Sequence, residues 1–122
     1  MINICYPWKM HKIFTMPFSE VYPHYVRKIE RKGRNIKELH EVITWLTGFS
    51  ATAIKSHLKK ETNFKDFFKA AKLNPKAMLI TGTICGVRIE EIEDPLMKKI
   101  RFLDKLVDEL AKGRPMEKVL RK

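Results

Sequence analysis

A cluster of basic residues is the part of this sequence best suited to bind a ligand. It lies between positions 27 and 37, where Glu30 is the one acidic residue, and its members are Arg27, Lys28, Arg31, Lys32, Arg34 and Lys37. Basic side chains on a helix end and the turn after it can contact successive phosphates of a nucleic acid. The same run is also typical of a solvated surface that keeps a protein in solution.

The residues after this cluster predict binding with little sequence preference. A helix that reads bases exposes Arg, Asn, Gln or Ser near its start. The segment 35–40 (NIKELH) meets that requirement poorly. We therefore expect a non-enzymatic binding protein for an anionic partner, nucleic acid or a nucleoprotein, that is held through phosphates.

Cys85 and Arg88 are the candidates for an alternative function as an enzyme or small-ligand binder. A guanidinium near a thiol lowers the thiol pKa, and Gly86 could admit a substrate to the backbone. A free cysteine is more commonly a small core residue. A third alternative is a structural subunit that forms a homodimer through part of its apolar helix surface.

Other residues predict neither a metal site nor a cofactor site. The acidic run Glu90, Glu91, Glu93 and Asp94 matches no calcium loop, and acidic residues before a helix N-terminus are favoured by the helix dipole. The histidines have no zinc-binding spacing, and the chain contains no phosphate loop, dinucleotide fingerprint or Gly-x-Ser-x-Gly elbow. Phe64, Phe67 and Phe68 recur at helical spacing, which favours a core over base stacking.

The longest predicted helix, residues 95–112, is the element on which the others are expected to pack. Asp94 and Pro95 mark its start, and Gly113 and Pro115 mark its end. Its apolar face carries Leu96, Ile100, Leu103, Leu106, Val107 and Leu110. We expect its opposite face to be exposed, with Lys98, Lys99, Arg101, Asp104, Lys105, Asp108, Glu109 and Lys112.

Shorter helices are predicted before it from their caps. A first helix begins near Ser19 or at Pro23 and stops at Gly33. Asn35, Ser50 and Asn63 (or Thr62) cap the next three, and residues 115–120 form a terminal turn. The segment 76–92 is ambiguous, because its β-branched residues favour a strand while its apolar positions fit helical faces. We predict a buried helix there, since no second strand is evident elsewhere.

Length and composition complete the prediction of the fold class. The chain has 122 residues, of which 44% are hydrophobic. We expect a compact, all-α single-domain bundle of five or six helices over residues 10–122, after a loose extension at 1–9. No apolar run reaches the roughly 20 residues of a membrane helix, and no secretory signal is present, so we expect a cytoplasmic protein without membrane contact. Two distant cysteines are expected to stay reduced.

Net charge is +11 and is concentrated in the first part of the chain. Residues 1–76 hold 15 Lys and Arg against 6 Asp and Glu, whereas residues 77–122 hold 10 against 8. A field of this sign attracts polyanions whatever the fold.

Four segments resemble a family of small bacterial proteins, domain-of-unknown-function family 2200. They are 31–34 (RKGR), 41–48 (EVITWLTG), 84–95 (ICGVRIEEIEDP) and 102–113 (FLDKLVDELAKG). The similarity extends from about His11 to Arg121. It implies a bacterial, cytosolic, single-domain protein, and it supplies no catalytic residue.

Overall fold

The computed structural model describes residues 14–84 and 86–121, so the predictions for residues 1–9 and for Cys85 lie outside the described residues. Six α-helices and one two-stranded sheet form in this part of the chain. The helices are α1 (Phe18–Glu30), α2 (Ile36–Thr47), α3 (Ala51–Lys59), α4 (Phe64–Ala70), α5 (Pro95–Ala111) and α6 (Met116–Val119). The predicted all-α class is confirmed, and so is the position of the longest helix.

Helix α5 has the ends that the sequence predicts. The Asp94 carboxylate accepts a hydrogen bond from Met97 N–H at 2.9 Å, and Pro95 occupies the first helical position. At the other end Gly113 adopts a φ of 86°, a left-handed conformation in which glycine carries no side-chain penalty. The Asp108–Lys112 pair also forms, at 3.0 Å.

The exposure predicted for one face of α5 is wrong at four positions. Arg101, Asp104, Asp108 and Glu109 are buried, because neighbouring elements also pack on that side of the helix. Each has a partner of opposite charge within the described chain. Pairing makes this burial tolerable, since an isolated buried charge would be very costly.

Helix α1 begins at Phe18, close to the Ser19 alternative, and continues through Pro23. Pro23 has no N–H to donate to the carbonyl four residues earlier, so one helical hydrogen bond is missing. Pro23 lies on the exposed side of α1, and burial of the opposite side stabilises the helix despite this loss. Phe18, Val21, Tyr25 and Ile29 form the buried face. The three helices that follow have the predicted caps at Asn35, Ser50 and Asn63, with a complete capping box between Asn35 and Glu38.

The segment 76–92 is not the buried helix that was predicted. It contains a 3₁₀ helix (Pro75–Leu79), two short antiparallel strands, β1 (Thr83–Ile84) and β2 (Val87–Arg88), and a second 3₁₀ helix (Ile89–Glu91). Gly82 and Gly86 have φ angles of 105° and 77°, which an α-helix excludes. The two glycines supply the left-handed conformations beside the short strands.

Helices α1 and α5 run parallel to each other, and this fixes which groups meet at each end. Tyr25 Oη donates to Asp104 at 2.7 Å, and one turn further Lys28 Nζ donates to Asp108 at 3.1 Å. Helix α2 returns antiparallel to α1, with Tyr22 bonded to His40. The C-terminal ends of α1 and α5 therefore lie together, about 20 Å along the helix axis from their N-terminal ends.

Candidate anion-binding surface

Two of the six predicted basic residues are used inside the fold. Lys28 contacts Asp108 at 3.1 Å, with its side chain 11% exposed. Arg34 contacts Glu38 at 2.9 Å, with its side chain 15% exposed, and its Nη1 also donates to the carbonyl of Arg114 at 2.8 Å. Lys28 thus connects α1 to α5, and Arg34 connects the turn between α1 and α2 to the residues that follow α5. Both side chains are largely buried in these contacts, so few of their N–H donors face a ligand.

The other four predicted residues are exposed. Arg31, Lys32 and Lys37 make no ion pair with another described residue. Arg27 shares a hydrogen bond of 2.8 Å with His24, one turn earlier on the outer face of α1. These four side chains retain their positive charge toward solvent.

The structure adds two basic residues that the sequence reasoning missed, Lys112 and Arg114. Lys112 shares the Asp108 carboxylate with Lys28, and the Arg114 carbonyl receives the bond from Arg34. Their side chains are 68% and 48% exposed. Arg114 lies 80 residues along the chain from Arg34, and the parallel packing of α1 and α5 brings both added residues to the basic cluster. We define the basic surface as Arg27, Arg31, Lys32, Lys37, Lys112 and Arg114.

Carboxylates beneath the basic surface hold its edges in place. Burial acts to raise the pKa of Asp108, but hydrogen bonds from Lys112 and Lys28, together with their charges, outweigh it and leave the pKa lowered. The pKa of Glu38 is lowered first by its hydrogen bond from Arg34. Both groups are therefore ionised at neutral pH. Glu38 pairs with Arg34, and Asp108 pairs with Lys28 and with Lys112, whose side chain stays exposed.

Basic residues also occur at the opposite end of the molecule. Lys59 and Lys60 come just before Thr62, whose carbonyl accepts a hydrogen bond from Phe18 N–H at the start of α1. Lys72 N–H donates to the carbonyl of Thr47, at the end of α2. These lysines are thus separated from the basic surface by about the length of α1, roughly 20 Å.

Arg88, the described member of the predicted Cys85 pocket, is engaged with carboxylates. It lies within 3.7 Å of Glu90 and 3.6 Å of Glu91, and its side chain is largely exposed on β2. Glu90 also accepts a hydrogen bond from Gly82 N–H at 2.9 Å. Glu90 and Glu91, the first two residues of the acidic run, therefore have structural partners in and beside the hairpin, while Asp94 caps α5. In residues 14–84 and 86–121, no group of three or more His, Cys, Asp or Glu residues is arranged to hold a metal ion.

The aromatic and histidine candidates also have structural partners. Phe64, Phe67 and Phe68 are buried, as the helical spacing predicted. His40 contacts the Tyr22 hydroxyl at 2.5 Å, and His57 Nδ1 contacts Thr62 Oγ1 at 3.0 Å. Among the described helices, none has both the length and the apolar character needed to cross a bilayer.

The fold and this surface define the chain as a small, basic, all-α protein, and comparison with known proteins identifies its family. The chain belongs to the family DUF2200, described as an uncharacterized protein conserved in bacteria, whose model matches residues 12–121. The resemblance found in the sequence is thereby confirmed.

A solved structure has the same fold. It is the crystal structure of the uncharacterized protein SP1917, which is 46% identical, with a TM-score of 0.86 over 92% of this chain and 93% of that one. Among curated proteins, none matches the chain.

Proposed function

We propose that this protein is a non-enzymatic binding protein for nucleic acid or a nucleoprotein, and that the basic surface holds successive phosphates. The observation that supports the proposal most is that Lys112 and Arg114 lie beside the C-terminal end of α1 and the turn after it, since Lys112 shares Asp108 with Lys28 and the Arg114 carbonyl accepts from Arg34. Residues from both halves of the chain thereby extend one cationic area. Counterion release makes such an area attractive to polyanions.

The proposed binding is to the backbone and has little preference for base sequence. The Asn35 amide at the start of α2 is occupied by the capping box, where it accepts from Glu38 N–H at 3.1 Å. Glu38 in turn holds Arg34. The first turn of α2 thus offers Lys37 as its main outward cation, and a lysine in this setting contacts phosphate as a point charge. We expect the protein to act in the cytoplasm, where bacterial nucleic acid is found.

Charge removal on the basic surface tests the proposal. We expect Arg27→Gln, Arg31→Gln, Lys32→Gln and Lys37→Gln, combined in one variant, to weaken binding to a labelled DNA duplex. The measurement is fluorescence anisotropy at several salt concentrations around 0.1 M. Because each phosphate contact contributes about 0.9 to the slope of log K against log salt, the loss of three or four contacts reduces that slope by about 3.

A matched control removes equal charge from the opposite end, by Lys59→Gln, Lys60→Gln, Lys72→Gln and Lys76→Gln. Lys76 belongs to this end because Asn74 N–H donates to the carbonyl of Leu46, near the end of α2, at 3.0 Å. All four positions are roughly 20 Å away, beyond the screening length of about 10 Å at 0.1 M salt, so the salt slope should change little. Equal losses in both variants would show that the attraction comes from net charge alone. Absence of binding by the unaltered protein even at low salt would refute the proposed function.

A further inference from the structure

A second site lies at the end of the molecule opposite the basic surface. It is a shallow groove of about 540 Å³ between α4 and the start of α5. Its lining residues are Phe14, Lys65, Phe68, Lys69, Asp94, Pro95, Leu96 and Lys99. A volume of this size is within the range of pockets that bind small organic molecules, roughly 300–1,000 Å³.

The floor of the groove is apolar. Phe14 and Leu96 are half-buried and pack on the core, and Phe68 also lines the groove with only 2% of its surface exposed. The Phe68 ring is stacked on Phe64 at 6.2 Å and meets Phe67 edge-on at 5.3 Å. Because Phe68 is almost wholly buried, its ring offers no exposed plane to a nucleobase. A flexible hydrocarbon chain can lie along such a floor and bury apolar area.

The rim of the groove is positive and unneutralised. Lys65 and Lys69 lie one turn apart on α4, where like charges repel each other, and Lys99 faces them from α5. None of the three lysines forms an ion pair with another described residue. Asp94, the one carboxylate on the lining, is engaged as the cap of α5 through its bond from Met97 N–H. Asp94 keeps its negative charge as a cap, so the three lysines and one carboxylate of the lining give a formal charge of +2, which still favours an anion.

Two parts of the protein itself could occupy the groove, namely the segment before Phe14 and a second copy of the chain, but both carry positive charge and fit the positive rim poorly. The segment 1–13 that precedes Phe14 contains Lys9 and Lys12 and no Asp or Glu, so it brings no anion to the rim. A second copy of the chain carries a net charge of +11 and is repelled at long range.

We propose that this groove binds a small amphipathic carboxylate, an acyl chain that lies on the Phe14–Phe68–Leu96 floor while its carboxylate is held by Lys65, Lys69 and Lys99. The apolar area supplies attraction to the chain, and the lysines select the charged head over a neutral one. The site is distinct from the basic surface and does not rest on the proposed function.

Calorimetry with decanoate, kept below its micelle-forming concentration, tests this assignment on the whole 122-residue chain. We expect decanoate to bind, while acetate and decanol bind at least about tenfold more weakly, because each lacks one half of the interaction. Amide shifts in ¹H–¹⁵N spectra should be largest at Lys65, Lys69, Leu96 and Lys99. Equal binding of decanol and decanoate, or shifts centred elsewhere, would overturn the assignment.

Variants separate the groove from net charge. Lys65→Ser, Lys69→Ser and Lys99→Ser together should weaken decanoate binding by at least about tenfold, because the charge-assisted contacts are lost. The matched variant Lys59→Ser, Lys60→Ser and Lys72→Ser should bind as the unaltered protein does. The four-residue basic-surface variant should also retain binding, so the two proposals fail independently. The proposed site is wrong if the groove variant binds decanoate with full affinity, or if the matched variant loses as much decanoate affinity as the groove variant does.

A second variant covers the case in which the triple substitution disturbs the fold. Leu96→Glu places a negative charge on the floor near the N-terminus of α5, where the helix dipole favours an acidic residue. We expect a folded protein that no longer binds decanoate. Undiminished binding by this variant would also overturn the proposal.

Discussion

At the scale of residues, buried charge is what distinguishes α5 from an ordinary amphipathic helix. Asp104 is fully buried and accepts from Tyr25 Oη and from Arg101 Nη1, at 2.7 Å and 3.1 Å. Glu109 is held by Arg121 through two hydrogen bonds and lies 3.4 Å from Arg114. Such pairs contribute little net stability, but breaking one leaves an uncompensated charge in the interior.

Asp104→Ala should therefore destabilise the protein strongly. The substitution leaves the Tyr25 hydroxyl and the Arg101 guanidinium without the carboxylate, and we expect a loss of about 3 kcal/mol in the free energy of unfolding. Urea denaturation followed by circular dichroism measures it. The exposed Glu41→Ala on α2 is the control and should change stability by less than about 0.5 kcal/mol. Similar midpoints for the two variants would contradict the structural role given to Asp104.

His40 makes stability depend on pH near neutrality. Burial, and then the charge of Lys55, lower the pKa of His40, and its Nε2 lies against the Tyr22 hydroxyl. A histidine whose folded pKa is lowered contributes stability above its unfolded pKa, and that stability is lost as the pH falls through the folded pKa. The pKa of His57 is also lowered, first by burial. The carboxylates Glu38 and Asp108 titrate at lower pH because their pKa values are lowered.

We accordingly expect the free energy of unfolding to decrease between about pH 7 and pH 5, from the ordinary histidine pKa of about 6.5 downward. His40→Gln should decrease less over the same interval, because the group that resists protonation is gone. Urea titrations at a series of pH values provide the comparison. A variant with the same pH profile as the unaltered protein would show that His40 does not contribute.

At the scale of elements, the helix caps were the strongest sequence signals. Asn35, Ser50, Asn63 and Asp94 all accept a backbone N–H in the structure, as their positions before apolar periodic segments predicted. A cap depends on residues within one turn, so it can be read locally. The burial of charge on α5 could not be read in this way, because the residues that cover that face come from distant parts of the chain.

The hairpin was missed for a physical reason. Its two strands are two residues long, and each is the partner of the other, with Thr83 opposite Arg88 and Ile84 opposite Val87. The partner of each strand therefore lies within the same segment and not elsewhere in the chain. The usable signal was the pair of glycines among β-branched residues, since glycine tolerates the positive φ that the turns require. Ile80, Ile84 and Ile89 still supply the apolar contacts expected of a buried segment.

Gly82→Ala should destabilise the hairpin. A side chain at a φ of 105° is strained, and a β-carbon there would lie 3.4 Å from Lys105 Nζ, which donates to the carbonyl of Thr83. We expect a loss of about 1–2 kcal/mol in the free energy of unfolding, measured by urea denaturation. The neighbouring exposed Thr81→Ala should cost less than about 0.5 kcal/mol. If alanine is accepted at position 82 without loss, the described turn is wrong.

At the scale of the whole molecule, the parallel arrangement of α1 and α5 determines where charge accumulates. Two helix C-termini lie at the same end, and their dipoles favour cations there. Basic residues from positions 27–37 and 112–114 meet at that end. Asp108 pairs with the largely buried Lys28 and with the exposed Lys112, and Glu109 pairs with Arg114. The excess positive charge of the first 76 residues was visible in the composition. The contribution of Lys112 and Arg114 to the basic surface depends on helix packing, so it could not be predicted from composition.

The groove also belongs to the whole molecule, because its lining comes from three separate parts of the chain. Phe14 reaches it because the Phe14 carbonyl accepts from Lys65 N–H at 3.1 Å, which places the chain before α1 beside α4. The periodicity of α4 predicted its buried phenylalanines but gave no reason to connect Lys65 and Lys69 with Lys99. Sites made from distant segments of this kind need coordinates to be found.

The position of bound nucleic acid on the surface tests the central proposal most directly. Lysine acetylation of the 122-residue chain, with and without a DNA duplex at about 0.1 M salt, can be quantified by mass spectrometry. We predict that Lys32, Lys37 and Lys112 are protected by the duplex, while Lys59, Lys72 and Lys76 react as they do in the free protein. Protection of the second set instead, or equal protection of both, would contradict the assignment of the basic surface.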